Sequence, residues 1–238
     1  MKLDILAFGV HPDDIELSCC GTLLHHVALG KKVGIVDLTA GELGTRGDAE
    51  TRLKEAAVAS SMIGSVLRGN LHMADGFFVH DKENLIDVIK ILRLFQPEIV
   101  LANAIEDRHP DHGRAAKLVA EACYYSGLRK IETEWEGQAQ SAWRPKAVYH
   151  YIQDYNLKPD FVFDISAYMD RKIEVIQAYK SQFFDPKSKE PSTPISSAEF
   201  MEFVRAKNCT YGREAGYHYA EAFTVNRTIG VKNLFDLD

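Results

Sequence analysis

Ile5-Leu-Ala-Phe-Gly-Val10 runs straight into His11-Pro-Asp-Asp14, and a segment of helical spacing, about Asp14–Leu29, follows. An apolar run this short, closed by a turn, reads as a fully buried strand. Strand, turn and helix in that order open a βαβ unit, and the chain then repeats the pattern. Lys32–Thr39, a weaker run near Val66–Met73, and Glu98–Asn103 read as further strands. Helical spacing fills the intervals at about Ala49–Ile63, Asn84–Phe95 and Gly113–Ser126. Gly30, Gly64 and Gly127 sit where helices are expected to end, and Pro97 follows the third helix. The alternation implies right-handed crossovers and an α/β fold: a Rossmann-like, mostly parallel sheet with helices on both faces.

The second half is less regular. Lys146–Ile152 and Asp160–Ile165 read as strands, Tyr168–Phe183 as a long helix, and Asp185–Pro194 as a polar loop punctuated by proline. A helix over about Ser197–Ala206 and a closing strand at Glu221–Val225 complete the expectation. The whole chain, 1–238, is therefore read as one domain, with a Rossmann-like core over 1–130 and a less regular part over 131–238.

Composition narrows the class. Of the 238 residues, 46% are apolar and 26% charged, which suits a globular core rather than a disordered chain. The net charge of −6, without a stripe of Lys and Arg, argues against binding nucleic acid through its phosphates. The N-terminal apolar run is too short for a secretory segment, and no stretch approaches the roughly 20 apolar residues of a membrane span. No membrane partner and a cytoplasmic location are the expectation. Cys19, Cys20, Cys123 and Cys209 lack metal-ligand spacing and read as free thiols in a reducing compartment.

Two short motifs carry the chemistry. His11-Pro-Asp-Asp14 lies just past the first predicted strand, and His109-Pro-Asp-His112 just past the fourth. Open α/β sheets place ligands outside the carboxyl ends of strands where the strand order reverses. In the order 3-2-1-4 that reversal falls between strands 1 and 4, so the two loops would face one crevice. His11, Asp14 and His112 would then offer two imidazoles and a carboxylate. Three such ligands with one open position form the pattern of a catalytic zinc site. Either motif alone is explained as readily by helix capping; the pair at equivalent sheet positions is not.

At this point the chain resembles the LmbE-like family of zinc-dependent N-acetylglucosaminyl deacetylases, which includes the PIG-L enzymes. The resemblance covers most of the chain. It rests on Ala7-Phe-Gly-Val-His11-Pro-Asp-Asp14-Ile-Glu16, on Arg52-Leu-Lys-Glu55-Ala-Ala-Val-Ala59, on Leu71-His-Met-Ala-Asp75 and on Asp107-Arg-His109-Pro-Asp-His112. Leu17-Ser-Cys-Cys20-Gly21 departs from the glycines usual after the first motif, a packing change that touches no catalytic position. Tyr179-Lys-Ser-Gln-Phe183 and Tyr219-Ala-Glu-Ala-Phe223 resemble the bacillithiol-pathway branch, whose substrate is N-acetylglucosaminyl-malate.

The resemblance implies Zn²⁺ on His11, Asp14 and His112, with Fe²⁺ an alternative that such a donor set also accepts. Asp13 is then the general base, a role its place beside a ligand also suggests. His109 stabilises the oxyanion as imidazolium, or else orients a ligand. Asp75 is expected to orient His109, and Arg52 to bind sugar hydroxyls or developing charge. Without the resemblance, the favoured reading of Arg52 is a surface partner of Glu55. Arg46 and Arg108, in loops facing the crevice, are candidates to grip a substrate carboxylate, or to sit in solvent beside Asp48 and Asp107. Phe77 and Phe78 line the mouth, contact another subunit or anchor their loop. The expected partners are a small N-acetylglucosaminyl substrate and further copies of the chain, a hexamer by family resemblance.

Three rival functions compete with this reading. A dinucleotide enzyme needs a glycine-rich first turn, whereas the carboxylates of His11-Pro-Asp-Asp14 would repel phosphate. A sugar-binding protein without catalysis has no use for both Asp13 and His109. A hydrolase of another amide, such as a thiol S-conjugate, differs only in substrate.

Overall fold

The computed structural model describes residues 1–236. Its centre is a seven-stranded sheet in the order β3-β2-β1-β4-β7-β9-β8. The strands are β1 (Ile5–Gly9), β2 (Val33–Thr39), β3 (Leu67–Met73), β4 (Ile99–Ala102), β7 (Ala147–Tyr151), β8 (Phe161–Asp164) and β9 (Ala220–Thr224). Neighbours from β3 to β7 run parallel; β9 pairs antiparallel with both β7 and β8. The second half of the chain thus extends the same sheet. A two-stranded hairpin, β5 (Glu134–Trp135) and β6 (Gln138–Ala139), was not legible from hydrophobic patterning, since both strands are exposed.

Alternation along the strands divides the core into two layers. Ile5, Ala7, Val33 and Ile35 face one side, packing on α2 (Cys20–Ala28), α3 (Ala49–Ile63), α6 (Met169–Ile176) and α7 (Phe200–Glu214). Leu6, Phe8, Val36 and Leu38 face the other, against α4 (Lys82–Phe95) and α5 (Pro110–Tyr125). Each buried aliphatic side chain contributes about 1.5–3 kcal/mol, so both faces of β1 are secured.

Two expected helices are broken, each for a local reason. The first divides at Cys19 into α1 (Asp14–Ser18) and α2. The buried Glu221 carboxylate accepts from the backbone N–H of Gly21 (2.8 Å) and Thr22 (2.7 Å), capping α2 at its new start. Lys172 balances that charge at 2.7 Å, with both side chains fully buried. Glycine is required at 21, because a Cβ there would lie 2.7 Å from Ile165. His25 and His26, half-buried on this helix, pack their rings against Phe163.

The expected Tyr168–Phe183 helix ends at Ile176. Glu55 captures the following segment, accepting from Ser181 N (2.8 Å) and Ser181 Oγ (2.7 Å), and Tyr179 and Phe183 turn into the core. The expected Ser197–Ala206 helix begins later and runs on as α7. Among the described residues, no helix is long and apolar enough to cross a membrane.

Candidate active site

The observed order puts β1 beside β4, so the turns that follow these strands meet at the carboxyl edge. The β1–α1 turn brings His11, Asp13 and Asp14. The β4–α5 loop brings Asp107, His109 and His112. The β3–α4 loop adds Asp75, and the segment after β7 adds Gln153. All three proposed ligand side chains are buried.

Their hydrogen bonds outline a candidate metal site. His112 gives Nδ1 to the Asp107 carboxylate at 2.6 Å, leaving Nε2 facing Asp14 Oδ1 at 3.2 Å. His11 gives Nε2 to Asp75 at 2.9 Å, leaving Nδ1 toward Asp14 Oδ2 at 3.8 Å. Each imidazole therefore has one nitrogen fixed by a carboxylate and the other turned to the shared aspartate. That is how metal-ligating histidines are oriented in general. Asp14 is itself held by Val10 N (3.0 Å), His11 N (2.9 Å) and Asn103 Nδ2 (2.9 Å) on one oxygen, and by Gln153 Nε2 (3.1 Å) on the other. One nitrogen each from His11, His109 and His112 also lie within 4.8 Å of one another. The donor set fits a divalent cation held by His11, Asp14 and His112.

The charges support that fit. Burial alone would depress His11, yet the Asp111, Asp75 and Asp14 carboxylates raise its pKa to about 10. Burial likewise opposes protonation of His112, but Asp14 and Asp107 raise it to about 9. Burial would raise Asp14; the two histidines hold it well below the usual carboxylate range. Without a cation, protons supply the positive charge that these carboxylates demand.

Asp13 stands apart from this set. Its backbone is left-handed, φ 116°, which costs a non-glycine residue about 1–3 kcal/mol. Its carboxylate meets Arg52, whose Nη2 donates to Asp13 Oδ2 at 3.1 Å and to Pro12 O at 2.8 Å. Burial raises Asp13 to about 7 against the opposing pull of Arg52, which suits a base working near neutrality. Arg52 is thus a buried partner of Asp13 and not of Glu55. Its other nitrogen, Nη1, donates to Gly41 O at 3.1 Å. Gly41 has φ 66°, and a Cβ there would overlap the guanidinium.

Three expectations change. Asp75 meets His11, not His109. His109 caps α5 with Nδ1 accepting from Asp111 N at 3.3 Å, so the proton of the neutral ring sits on Nε2. Burial, then the charges of His11 and His112, lower its pKa, which favours a neutral donor over an imidazolium. Arg46 is buried and spent on the chain: it donates to Ser181 O at 2.9 Å and Ser188 Oγ at 3.0 Å, while its own carbonyl accepts from Gln182. It pins the segment that replaced the expected helix, and no carboxylate of a ligand is needed to satisfy it. Arg108 does border the site, paired with Asp154 at 2.7 Å. Phe78 is a buried loop anchor beneath Arg114, whereas Phe77 is 77% exposed.

Sequence reasoning missed Asp107, Asn103 and Gln153. Asp107 lay inside the second motif and was readable as a partner for His112. Asn103 and Gln153 had only their positions after β4 and β7 to mark them.

A cleft of about 330 Å³ opens on this array, bordered by Asp13, Arg52, Asp75, Arg108, His109 and Gln182 among others. That volume suits a small molecule. Fold and site together define an α/β protein with a candidate metal site at the carboxyl edge of its sheet and a buried carboxylate, Asp13, beside it. Residues 6–123 match the family model PIG-L, GlcNAc-PI de-N-acetylase. The chain is 27% identical over 229 residues to diacetylchitobiose deacetylase of Thermococcus kodakarensis, covering 91% of this chain and 80% of that protein. It is 32% identical over 125 residues to the uncharacterised deacetylase YaiS of Escherichia coli, covering 50% and 67%. A conserved protein of Thermus thermophilus superposes with a TM-score of 0.85 at 35% identity, covering 97% and 98% of the two chains. The chain belongs to the PIG-L/LmbE-like deacetylase family.

Proposed function

We propose that the protein is a zinc-dependent hydrolase that removes the N-acetyl group from a small molecule containing N-acetylglucosamine. The observation that carries this reading is the division of labour within His11-Pro-Asp-Asp14: Asp14 joins the metal-binding face while strained, buried Asp13 is kept off it by Arg52. When bound, Zn²⁺ on His11, Asp14 and His112 supplies Lewis-acid chemistry to the acetyl carbonyl and the attacking water. Asp13 Oδ1, the oxygen not held by Arg52, accepts a proton from that water. The new C–O bond forms, the amide C–N bond breaks, and the proton passes to the departing amine, leaving acetate and a free amino sugar. His109 Nε2–H is placed to donate to the oxygen that gains charge. Asp75 and Asp107 keep the ligand imidazoles in their metal-binding tautomers.

Family membership and the diacetylchitobiose deacetylase relative support an N-acetylglucosamine substrate. The finer reading, N-acetylglucosaminyl-malate in bacillithiol biosynthesis, is carried by the resemblance of Tyr179–Phe183 and Tyr219–Phe223. Tyr179 and Phe183 are core residues, so that support is indirect; Gln182 alone of that segment borders the cleft. We also read the enzyme as a cytoplasmic homo-oligomer, a hexamer by resemblance, which light scattering on the purified chain tests. A panel of N-acetylglucosamine, diacetylchitobiose and N-acetylglucosaminyl-malate, followed by amine release, tests the substrate. A kcat/KM at least tenfold higher on the malate glycoside supports the finer reading, and parity across the panel removes it.

A further inference from the structure

Two buried amide side chains close a ring of hydrogen bonds on Asp14: Asn103, just past β4, and Gln153, in the segment after β7. Asn103 Nδ2 donates to Asp14 Oδ2 at 2.9 Å and to Gln153 Oε1 at 3.0 Å. The backbone N–H of Ala104 donates to the same Oε1 at 3.1 Å. Gln153 Nε2 returns to Asp14 Oδ1 at 3.1 Å. A carboxylate only accepts, so it draws the donor ends of both amides. Turned over, Gln153 would set its NH₂ against two donors and its oxygen against a carboxylate. Asn103 Oδ1 is left buried with no partner among the described residues, so the demand of Asp14 prevails over that of Asn103.

The NH₂ so fixed stands at a particular place. It lies 3.1 Å from Asp14 Oδ1 and 3.4 Å from His112 Nε2, and those two atoms are 3.2 Å apart. Ligand atoms ~2.0–2.1 Å from a tetrahedral zinc ion stand about 3.3–3.4 Å from one another. Gln153 Nε2 therefore has the spacing of a neighbouring ligand without the chemistry of one. An amide NH₂ gives two hydrogen bonds and offers a cation no lone pair. Asp14 Oδ2 is withheld as well, since Val10 N, His11 N and Asn103 Nδ2 already donate to it. Asp14 and His112 border the catalytic cleft, and Gln153 does not.

We propose that Gln153 is a positioning residue that bars a fourth protein ligand from the metal, so that the exchangeable coordination position opens on the cleft. An oxygen at the same spot would complete a set of four protein ligands, the arrangement of structural rather than catalytic zinc. This rests on the reading of His11, Asp14 and His112 as the ligands, and assigns a role to a residue outside that set.

Gln153→Glu in the full chain tests this, because glutamate can keep one oxygen on Asn103 and Ala104 and set the other where Nε2 stood. Competition against a chelator should show Zn²⁺ bound about tenfold or more tightly than by the wild type, the scale on which groups beside a metal act. The absorption spectrum of the Co²⁺-loaded variant, which reports coordination geometry, should differ from that of wild type, and the zinc-loaded variant should release acetate more slowly. Gln153→Met, of similar length but with no hydrogen bond to give, should keep the wild-type Co²⁺ spectrum, since no ligand is lost. Unchanged zinc affinity in Gln153→Glu overturns the proposal. So does tighter binding with an unchanged Co²⁺ spectrum, which would mean that charge alone attracts the cation. A spectrum that changes in Gln153→Met overturns it too, by making Gln153 a ligand, whether or not Gln153→Glu folds. A wild-type chain that takes up neither Zn²⁺ nor Co²⁺ removes the ligand set itself, and the role of Gln153 falls with it.

Discussion

Asp107→Asn isolates the claim that a carboxylate fixes the tautomer of His112. Asp107 Oδ2 accepts from His112 Nδ1 at 2.6 Å, while Oδ1 accepts from the backbone N–H of Asp154 and Tyr155, each at 2.8 Å. An amide cannot serve both sides. With its oxygen toward His112, its NH₂ confronts two backbone donors. Flipped, its NH₂ faces Nδ1, which must then accept, moving the ring proton to Nε2. That is the nitrogen facing Asp14 at 3.2 Å, and the proton would occupy the metal's place. Removing such an outer partner typically weakens metal binding by about 10–100-fold, or about 1.4–2.7 kcal/mol. Competition for Zn²⁺ against a chromophoric chelator measures the change, with thermal melting of the metal-free protein run alongside to register the backbone bonds separately. A metal affinity within twofold of wild type would refute the assignment of Nε2 as the ligand atom and Asp107 as its keeper.

Gly41→Ala should push Arg52 off Asp13 and lower kcat by about 10–100-fold, the worth of a hydrogen bond to a charged group; wild-type kcat would show that Asp13 does not need Arg52. Arg46→Ala should lower stability by about 1–3 kcal/mol through the acceptors it abandons, without changing the preference between acidic and neutral glycosides. A tenfold loss of that preference would return Arg46 to the substrate site. Because His11 and His112 hold protons up to about pH 10 and about pH 9, cation uptake must displace both. Apparent Zn²⁺ affinity should therefore fall as pH falls, by up to about two log units per pH unit between pH 8 and 6. Calorimetry in buffers of different ionisation enthalpy should find about two protons released per metal, and release near zero would contradict it.

The sheet was legible because its strands are buried on both faces and its turns carry strong signals. The 3-2-1-4 order, assumed from the general rule for such sheets, is the order observed. What patterning could not show were the breaks caused by distant groups. Glu221 reaches Gly21 across 200 residues, and Glu55 captures Ser181 across 126. Neither contact leaves a trace in local periodicity, so both affected helices read longer than they are. The meeting of the two histidine motifs at one crevice was legible because they follow β1 and β4, which are neighbours in the sheet. The partners of His109, Asp75 and Arg46 were not, because hydrogen-bond choice among crowded side chains is settled by angstrom-scale packing.

Acetate release by Asp13→Asn protein, measured together with its bound zinc, tests the central claim most directly. Asp13 lies outside the proposed ligand set, and an amide at that position cannot take a proton from water. The substituted protein should therefore bind Zn²⁺ with near wild-type stoichiometry and lose most of its kcat on an N-acetylglucosamine glycoside, by about 10²–10⁴-fold as expected for a general base. Full zinc occupancy with a near wild-type rate of acetate release would contradict the account.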